Sequence, residues 1–317
     1  MSSCGGGRRP ISGQRMALGT VVNIKIYDAG SYEKPEALIN SCLDDLQSLD
    51  SLWAYEGVNS DINKLEEKAG LTSVNIDEKT FKVLAQALEM ENKTGGNFNV
   101  KIGPVTRLWG FHSGDPRIPR SEEISLALGN VQGSMFFAGS SCLLGKAGMA
   151  LDLGGIGKGF AVDLALERLQ AEGIKACIVE AGGDLRVWGS PGKCKPWRIG
   201  VRHPRNAEAF YAVLLIEDGA VATSGDYQQY FEEGGKRYHH IIDPATGYPG
   251  DKCVSATVWA KNCGEADAAA TGLFVMGVEK GMEWLKQNTD YLGMIIYFDD
   301  KGELVEAHSE GLKVEKQ

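Results

Sequence analysis

Apolar positions along the chain switch between a period near two and a period near four, and the switches predict alternating strands and helices. Within 16–27 the run GTVVNIKIY sets β-branched residues in near alternation with polar ones, which predicts a strand. Residues 33–50 place Ala37, Leu38, Cys42, Leu43 and Leu46 at helical spacing, an amphipathic helix. Residues 78–94 predict a second one through Phe81, Leu84, Ala85, Leu88 and Met90, stopped by Gly95 and Gly96. A short helix entered through Ser121, with Glu123 just behind it, follows within 115–130. Strand-like segments at 131–138 and 141–144 precede a strand from Met149 to Leu153, a glycine turn, and a helix from Lys158 to Glu172 closed by Gly173. Strands then crowd at 175–180, 184–189, 197–202, 210–216 and 220–223, at His240 to Ile242, at 253–260 and at 291–298, with a helix at 264–276. Such density predicts antiparallel hairpins, and strand runs broken by a few long helices indicate an α+β fold rather than regular βαβ alternation. No linker or repeat divides the interior, so 16–317 is expected to be a single compact unit of largely antiparallel sheets with several packed helices. The Gly-, Ser- and Arg-rich residues 1–15 are expected to be a disordered leader.

Composition narrows the function classes. The 317 residues are 43% hydrophobic and 24% charged, ordinary for a globular protein, while 41 glycines exceed the usual share and predict close backbone approaches. A formal charge of −9, with no run of lysine and arginine, argues against a nucleic-acid partner. No stretch of about 18 apolar residues is present to span a bilayer. The seven cysteines show no CxxC, no short metal-ligand spacing and no disulfide framework. Cys4, preceded by two serines and followed by glycines, looks like the end of a bacterial lipoprotein signal, with Cys4 acylated. A flexible leader with an incidental cysteine fits the same residues.

Five segments carry candidate chemistry. In CGEADAAATGLFVMG, residues 263–277, Asp267 and Thr271 stand i and i+4 on one helix face, so a carboxylate and a hydroxyl project one turn apart. That pair suits a hard cation such as Mg²⁺. Spacing alone favours the plainer reading, an Asp stabilised by the helix dipole and a Thr bonding back to the turn before it. In MALDLGGIGKGFAVD, residues 149–163, a strand runs into glycines and then a helix, a turn suited to a phosphate-bearing ligand, although it is neither a Walker loop nor GxGxxG. Lys158 either adds positive charge there or is a solvated helix start. In YHHIIDPATGYPG, residues 238–250, adjacent strand residues face opposite sides, so His239 and His240 cannot share a role. A neutral histidine at a strand end suits a general base or a hydrogen-bonded structural position. EAGGDLRVWG, residues 180–189, has two glycines within a strand and then Asp184, suggesting a bulge or a ligand against the backbone. In LWGF, residues 108–111, loop aromatics either stack on a flat heterocycle or plug the core.

In order, MALGT, NVKIGPVTRLWGF, MALDLGGIGKGFAVD, EAGGDLRVWG, ATSGDYQQYF, HHIIDPATGYPG and EADAAATGLFVMG resemble the FAD:protein FMN transferases, the ApbE family, over about residues 16–298. The resemblance implies Mg²⁺-dependent transfer of FMN from FAD to a Thr or Ser hydroxyl of an acceptor protein through a phosphoester bond, with release of AMP. It implies metal ligation by Asp267, Thr271 and the backbone carbonyl of Gly155, and a base at His240, with Asp267 essential to catalysis. FAD contacts are implied at Met16, Trp109, Gly110, Phe111, Asp152, Lys158 and Ile241. SLWAYEGVNSDINKLE resembles the segment that gives an aromatic to the adenine, with shifted spacing, and it singles out Tyr55. Asp184 is expected to organise the pocket. The family also implies an acceptor that is a membrane respiratory or electron-transfer subunit, and an enzyme at the periplasmic face of the inner membrane, anchored through a lipid on Cys4. The rival outcomes are FAD hydrolysis to FMN and AMP, and flavin binding without catalysis.

Overall fold

The computed structural model of this chain describes residues 9–54, 59–111, 113–192 and 195–316. The chain enters on β1 (Ile11–Ala17), reverses at Leu18 and Gly19, and returns as β2 (Thr20–Asp28). Helices α1 (Pro35–Trp53) and α2 (Asp61–Glu67) lead to the short β3 (Val74–Asn75) and then to α3 (Glu78–Lys93). Next come α4 (Gly103–Trp109), α5 (Ser121–Val131), and the hairpin of β4 (Met135–Ala138) and β5 (Ser141–Leu144). A glycine turn opens α6 (Gly157–Ala171), followed by β6 (Ala176–Ala181), β7 (Asp184–Trp188), β8 (Trp197–Arg202), β9 (Phe210–Ile216) and β10 (Gly219–Gly225). A small hairpin, β11 (Tyr230–Glu233) with β12 (Lys236–His239), precedes β13 (Ser255–Ala260). The chain ends with α7 (Cys263–Gln287), β14 (Leu292–Phe298), β15 (Leu304–His308) and β16 (Val314–Lys316).

Eight strands form one antiparallel sheet in the order β1-β2-β6-β7-β10-β13-β14-β15. Successive side chains point to opposite faces, so β10 gives Ala220 and Ala222 to one core and Val221 to the other. β14 divides in the same way, with Ile295 on the first side and Met294 and Ile296 on the second. Helices cover the first face, α7 over β10, β13 and β14, and α6 over β6 and β7. The second is covered by the three-stranded sheet β16-β9-β8, whose Trp197, Ile199, Leu214 and Ile216 cluster with Leu185, Val187 and Met294. Central strands buried on both faces read as nearly continuous apolar runs, which is why they stand out in the sequence. Among the described residues no helix is long and apolar enough to cross a membrane.

The α+β expectation holds, and several boundaries move. Order begins before Met16, because Ile11 to Arg15 pair with β2 as strand β1 instead of belonging to a disordered leader. The inward positions of that edge strand are Ile11, Gly13, Arg15 and Ala17, only two of them large or moderately apolar, so no hydrophobic period announces it. The expected strand at 149–153 is an extended segment with a single bridge, Ala150 to Ile102. Gly182 and Gly183 make the turn between β6 and β7 instead of interrupting one strand. The last helix runs on to Gln287 past a non-helical Gly277. Tyr55 and Cys4 lie outside the described residues.

The N-terminal turns of α6 and α7 touch backbone to backbone, and the reason is the missing side chain at position 159. A Cβ on Gly159 would collide with the Cys263 carbonyl oxygen and stand 2.9 Å from Gly264 Cα. Gly159→Ala is therefore expected to force the helices apart and lower stability by about 1–3 kcal/mol, the usual cost of overpacking. A denaturant-unfolding midpoint equal to the wild type's would contradict that close contact.

Candidate active site

Polar side chains converge where the starts of α6 and β7 and the end of β10 meet the first turns of α7. Strand alternation carries Ser224 to the helix-covered face of β10, where its Oγ lies 3.2 Å from Thr271 Oγ1. One turn earlier on α7 is Asp267, only 4% exposed. Its Oδ2 accepts from the Gly159 N–H at 3.3 Å and from Lys158 Nζ at 3.4 Å. Lys158 Nζ also donates to the Gly154 carbonyl at 2.9 Å and pairs with Asp184 Oδ2 at 3.2 Å. Asp184, buried at the start of β7, takes the Thr223 N–H on Oδ1 at 3.3 Å. Its Oδ2 has the ionic partner but no well-aligned hydrogen-bond donor among the described residues. Gly155 lies against Thr271, since a Cβ on it would stand 2.8 Å from Thr271 Oγ1.

The charges of this cluster do not balance. Burial raises the Asp267 carboxyl above its usual range, more than Lys158 lowers it. Burial raises Asp184 too, and the neighbouring Asp267 charge adds to that. Burial alone would pull Lys158 down, but Asp267 and Asp184 outweigh it and hold the ammonium charged. Two buried carboxyls thus share one ammonium, and an additional cation would favour ionisation of both. The nearest donors are hard oxygens, the Asp267 carboxylate, the Thr271 hydroxyl and the backbone of Gly155, which fit Mg²⁺ chemistry. Among the described residues no group of three or more His, Cys, Asp or Glu could hold a metal. A set with one carboxylate, one hydroxyl and one carbonyl contains no such group.

The cluster opens into two adjoining cavities that share Asp152, Gly154, Lys158 and His240 in their walls. The larger measures about 700 Å³, ample for a small-molecule ligand. Thr271, Asp267, Gly155 and the buried Ile241 line the smaller one. His240 follows β12, and its Nδ1 lies 3.3 Å from the Gln229 carbonyl oxygen. A carbonyl only accepts, so Nδ1 carries the proton and Nε2 keeps its lone pair. Burial, then the adjacent His239, push the imidazole down to about 4, leaving it neutral at pH 7. His239 turns the other way: Nε2 donates to the Gly250 carbonyl at 2.7 Å while Nδ1 accepts the Ile241 N–H. The two histidines diverge at the end of β12, which stops at His239, so the expected strand at His240 to Ile242 is instead a bend and a single bridge from Ile242 to Pro249.

The aromatic loop departs from the expected stacking surface. Trp109 belongs to the last turn of α4 and is fully buried, its indole donating to the Gly247 carbonyl at 2.9 Å and packed among Phe111, Tyr238 and Tyr248. It presents no ring face to a ligand. Gly110 ends that helix at φ 73°, a left-handed conformation that disfavours a side chain, and a Cβ there would collide with the Asp115 carbonyl oxygen. Phe111 is half-buried and reaches the His240 ring at 6.5 Å between centroids. Met16, 60% exposed on β1, does not line either cavity, whereas Leu18 beyond it lines the larger. Asp152 lies in the walls of both, its Oδ1 accepting the Gly154 N–H at 2.8 Å. Ser224 and Gln229 lie within ATSGDYQQYF, a segment that carries the resemblance without assigning either residue a role. Counting alternate positions from Ala220 and Ala222 would have placed Ser224 on the helix side.

The family model described as the ApbE family matches residues 18–296. A curated relative from Vibrio cholerae serotype O1, named FAD:protein FMN transferase, is 32% identical over 289 residues, 89% of this chain and 86% of its own. A Haemophilus influenzae protein of the same name is 32% identical over 95% of this chain and 90% of its own. Among solved structures, the ApbE protein of Thermotoga maritima superposes with a TM-score of 0.84 at 32% identity, covering 95% of this chain and 97% of that one. The flavin transferase ApbE of Vibrio cholerae gives 0.84 at 30% identity, with 95% and 96% covered.

The depressed His240 is expected to remain neutral as pH falls through 6.5, the ordinary histidine value, and to protonate only near 4. Histidine-resolved NMR titration of the folded protein checks this, and an inflection near 6.5 assigned to His240 would contradict its depressed value.

Proposed function

The chain belongs to the ApbE family, and we propose that it transfers FMN from FAD to a Thr or Ser hydroxyl of an acceptor protein through a phosphoester bond, releasing AMP. The observation that carries the reading is a single cleft in which Asp267, Thr271 and Gly155 meet beside Lys158, with the neutral His240 in the same wall. FAD is the substrate, and Lys158 supplies positive charge for its pyrophosphate. Asp267, Thr271 and the Gly155 carbonyl would hold Mg²⁺, which when bound neutralises phosphate oxygens and aligns the reactants. Asp184 keeps the Lys158 ammonium at the head of α6.

The acceptor hydroxyl attacks the FMN-side phosphorus. Its oxygen forms the new P–O bond while the bond from that phosphorus to the bridging oxygen breaks, and the bridging oxygen leaves with AMP. His240 Nε2 takes the hydroxyl proton, a role for which its Gln229-anchored tautomer is already correct. The imidazole needs no deprotonation at neutral pH. Ile241 lines the cavity beside it and Phe111 backs its ring, and the apolar surface of Ile241 disfavours water at the reacting oxygen.

The acceptor in this reading is a membrane respiratory or electron-transfer subunit, and the enzyme works at the periplasmic face of the inner membrane with a lipid on Cys4. The support is the run Ser2, Ser3, Cys4, Gly5. Mass spectrometry of the protein from native membranes showing unmodified Cys4 would remove the anchor.

Incubation with FAD, Mg²⁺ and a purified acceptor is expected to give a flavin-fluorescent acceptor band that EDTA abolishes. Free FMN and AMP without that band would mean hydrolysis, and intact FAD would mean binding alone. Asp267→Ala should lower transfer by more than the roughly 10–100-fold that loss of an outer-shell partner costs, with the fold retained by circular dichroism. Transfer at the wild-type rate would refute the metal assignment.

A further inference from the structure

The start of α7 is held by a residue outside the cleft. The first N–H groups of a helix have no intrahelical partner, and here three of them are met in two ways. Asn262, the N-cap, accepts the Glu265 N–H on its own Oδ1 at 3.1 Å. The two before it, Cys263 N–H and Gly264 N–H, donate to Asp163 Oδ1 and Oδ2, each at 2.8 Å. Asp163 lies in α6 and is buried, so this cap comes from the neighbouring helix and not from the loop before α7. Its Oδ1 also accepts from Arg186 of β7 at 2.8 Å, so the carboxylate binds three elements together.

The clamp is in register with the cleft. Asp163 meets Cys263, Gly159 donates to Asp267, and Gly155 lies against Thr271. On one chain segment the positions are 155, 159 and 163, and on the other 271, 267 and 263, each set spaced by four and running in opposite directions. Three successive turns of α7 are thus matched against α6 and the turn that opens it. The last two matches build the cleft, and the first sets how far along α6 they fall. A carboxylate at a helix N-terminus is also favoured by the helix dipole, so the clamp is strong where the register is set.

We propose that Asp163 is the positioning residue that holds α7 at the axial height where Asp267 and Thr271 face Gly155 as one ligand set. The inference rests on the metal reading of those residues. Asp163 touches neither flavin nor phosphate; it acts through the first turn of α7. Asn in its place keeps the shape but turns one backbone N–H toward an amide N–H₂, donor against donor, and removes the charge that Arg186 faces. The turn then loses one of its two tethers, and the metal affinity falls before the chemistry does.

The test titrates Mg²⁺ into FAD-bound protein and reads thermal stabilisation, with transfer to an acceptor measured in parallel. Asp163→Asn is expected to raise the half-saturating Mg²⁺ about tenfold or more, as loss of a supporting partner does, with transfer recovering toward the wild-type rate at saturating metal. Asn262→Ala, which removes a cap on the same turn without touching α6, should lower the melting temperature but leave the half-saturation point unchanged. A folded Asp163→Asn with the wild-type half-saturation point would overturn the proposal, as would transfer that saturating Mg²⁺ cannot restore. If Asp163→Asn fails to fold, Arg186→Gln is the milder lesion at the same carboxylate; it should shift the half-saturation in the same direction, and no shift overturns the idea. A wild-type protein whose stability ignores Mg²⁺ would instead sink the metal reading itself.

Discussion

Everything in the cleft depends on how closely the beginning of α6 approaches the beginning of α7. Helix axes normally stay 8–10 Å apart because side chains intervene, yet here the backbone of Gly159 lies against Cys263 and Gly264. Only that approach lets a main-chain N–H of one helix reach a carboxylate on the next. Small residues recur around α7 as well, and Ala266, Ala268, Ala269 and Ala270 are all fully buried. The small-residue content that looked like composition is a geometric requirement.

Close approach leaves little room for water, so the charges trapped there must answer to one another. β7 turns Asp184 and Arg186 toward the helices, and α6 answers with Lys158 and Asp163. Each buried ion pair is weak support for stability, since desolvation consumes most of the attraction. Their value is directional: an ammonium and a carboxylate that have no better partner hold α6 at one height over β7. The pairing around Lys158 leaves two buried carboxyls to one ammonium, and burial raises both of them. Burial of Asp163 pushes its carboxyl up to about 6 even with Arg186 and two backbone donors opposing that shift, a measure of how dry the interface is.

The opposite wall is apolar and has a different logic. Trp109, Phe111, Phe231 and Tyr238 pack in a closed ring between α4 and the β11–β12 hairpin, and Phe111 is the member that touches His240. Tryptophan serves there as the anchor of the loop, its N–H tied to Gly247, while the smaller phenylalanine meets the His240 ring. Loop aromatics read from sequence can mean either, because residue type does not say which ring is underneath. The same ambiguity hid β1, an edge strand whose inward positions include Gly13 and Arg15, and α4, too short at seven residues to show a helical period.

Local pattern alone determined the α+β class, the major helices, the divergence of His239 from His240 and the pairing of Asp267 with Thr271 on one helix face, since each follows from a period of about two or 3.6 residues. Motif order was enough to indicate the family. Tertiary structure decided which candidates share a site: Asp184 joins Lys158 across the sheet–helix boundary, Ser224 reaches Thr271 from another strand, and Trp109 withdraws into the core. It also decided that Asp163, an acid near the end of a glycine motif, caps a helix a hundred residues away. Hydrophobic period reports which face of an element is buried, but contacts between elements depend on register and approach distance, and neither is written in the spacing of residues along one element.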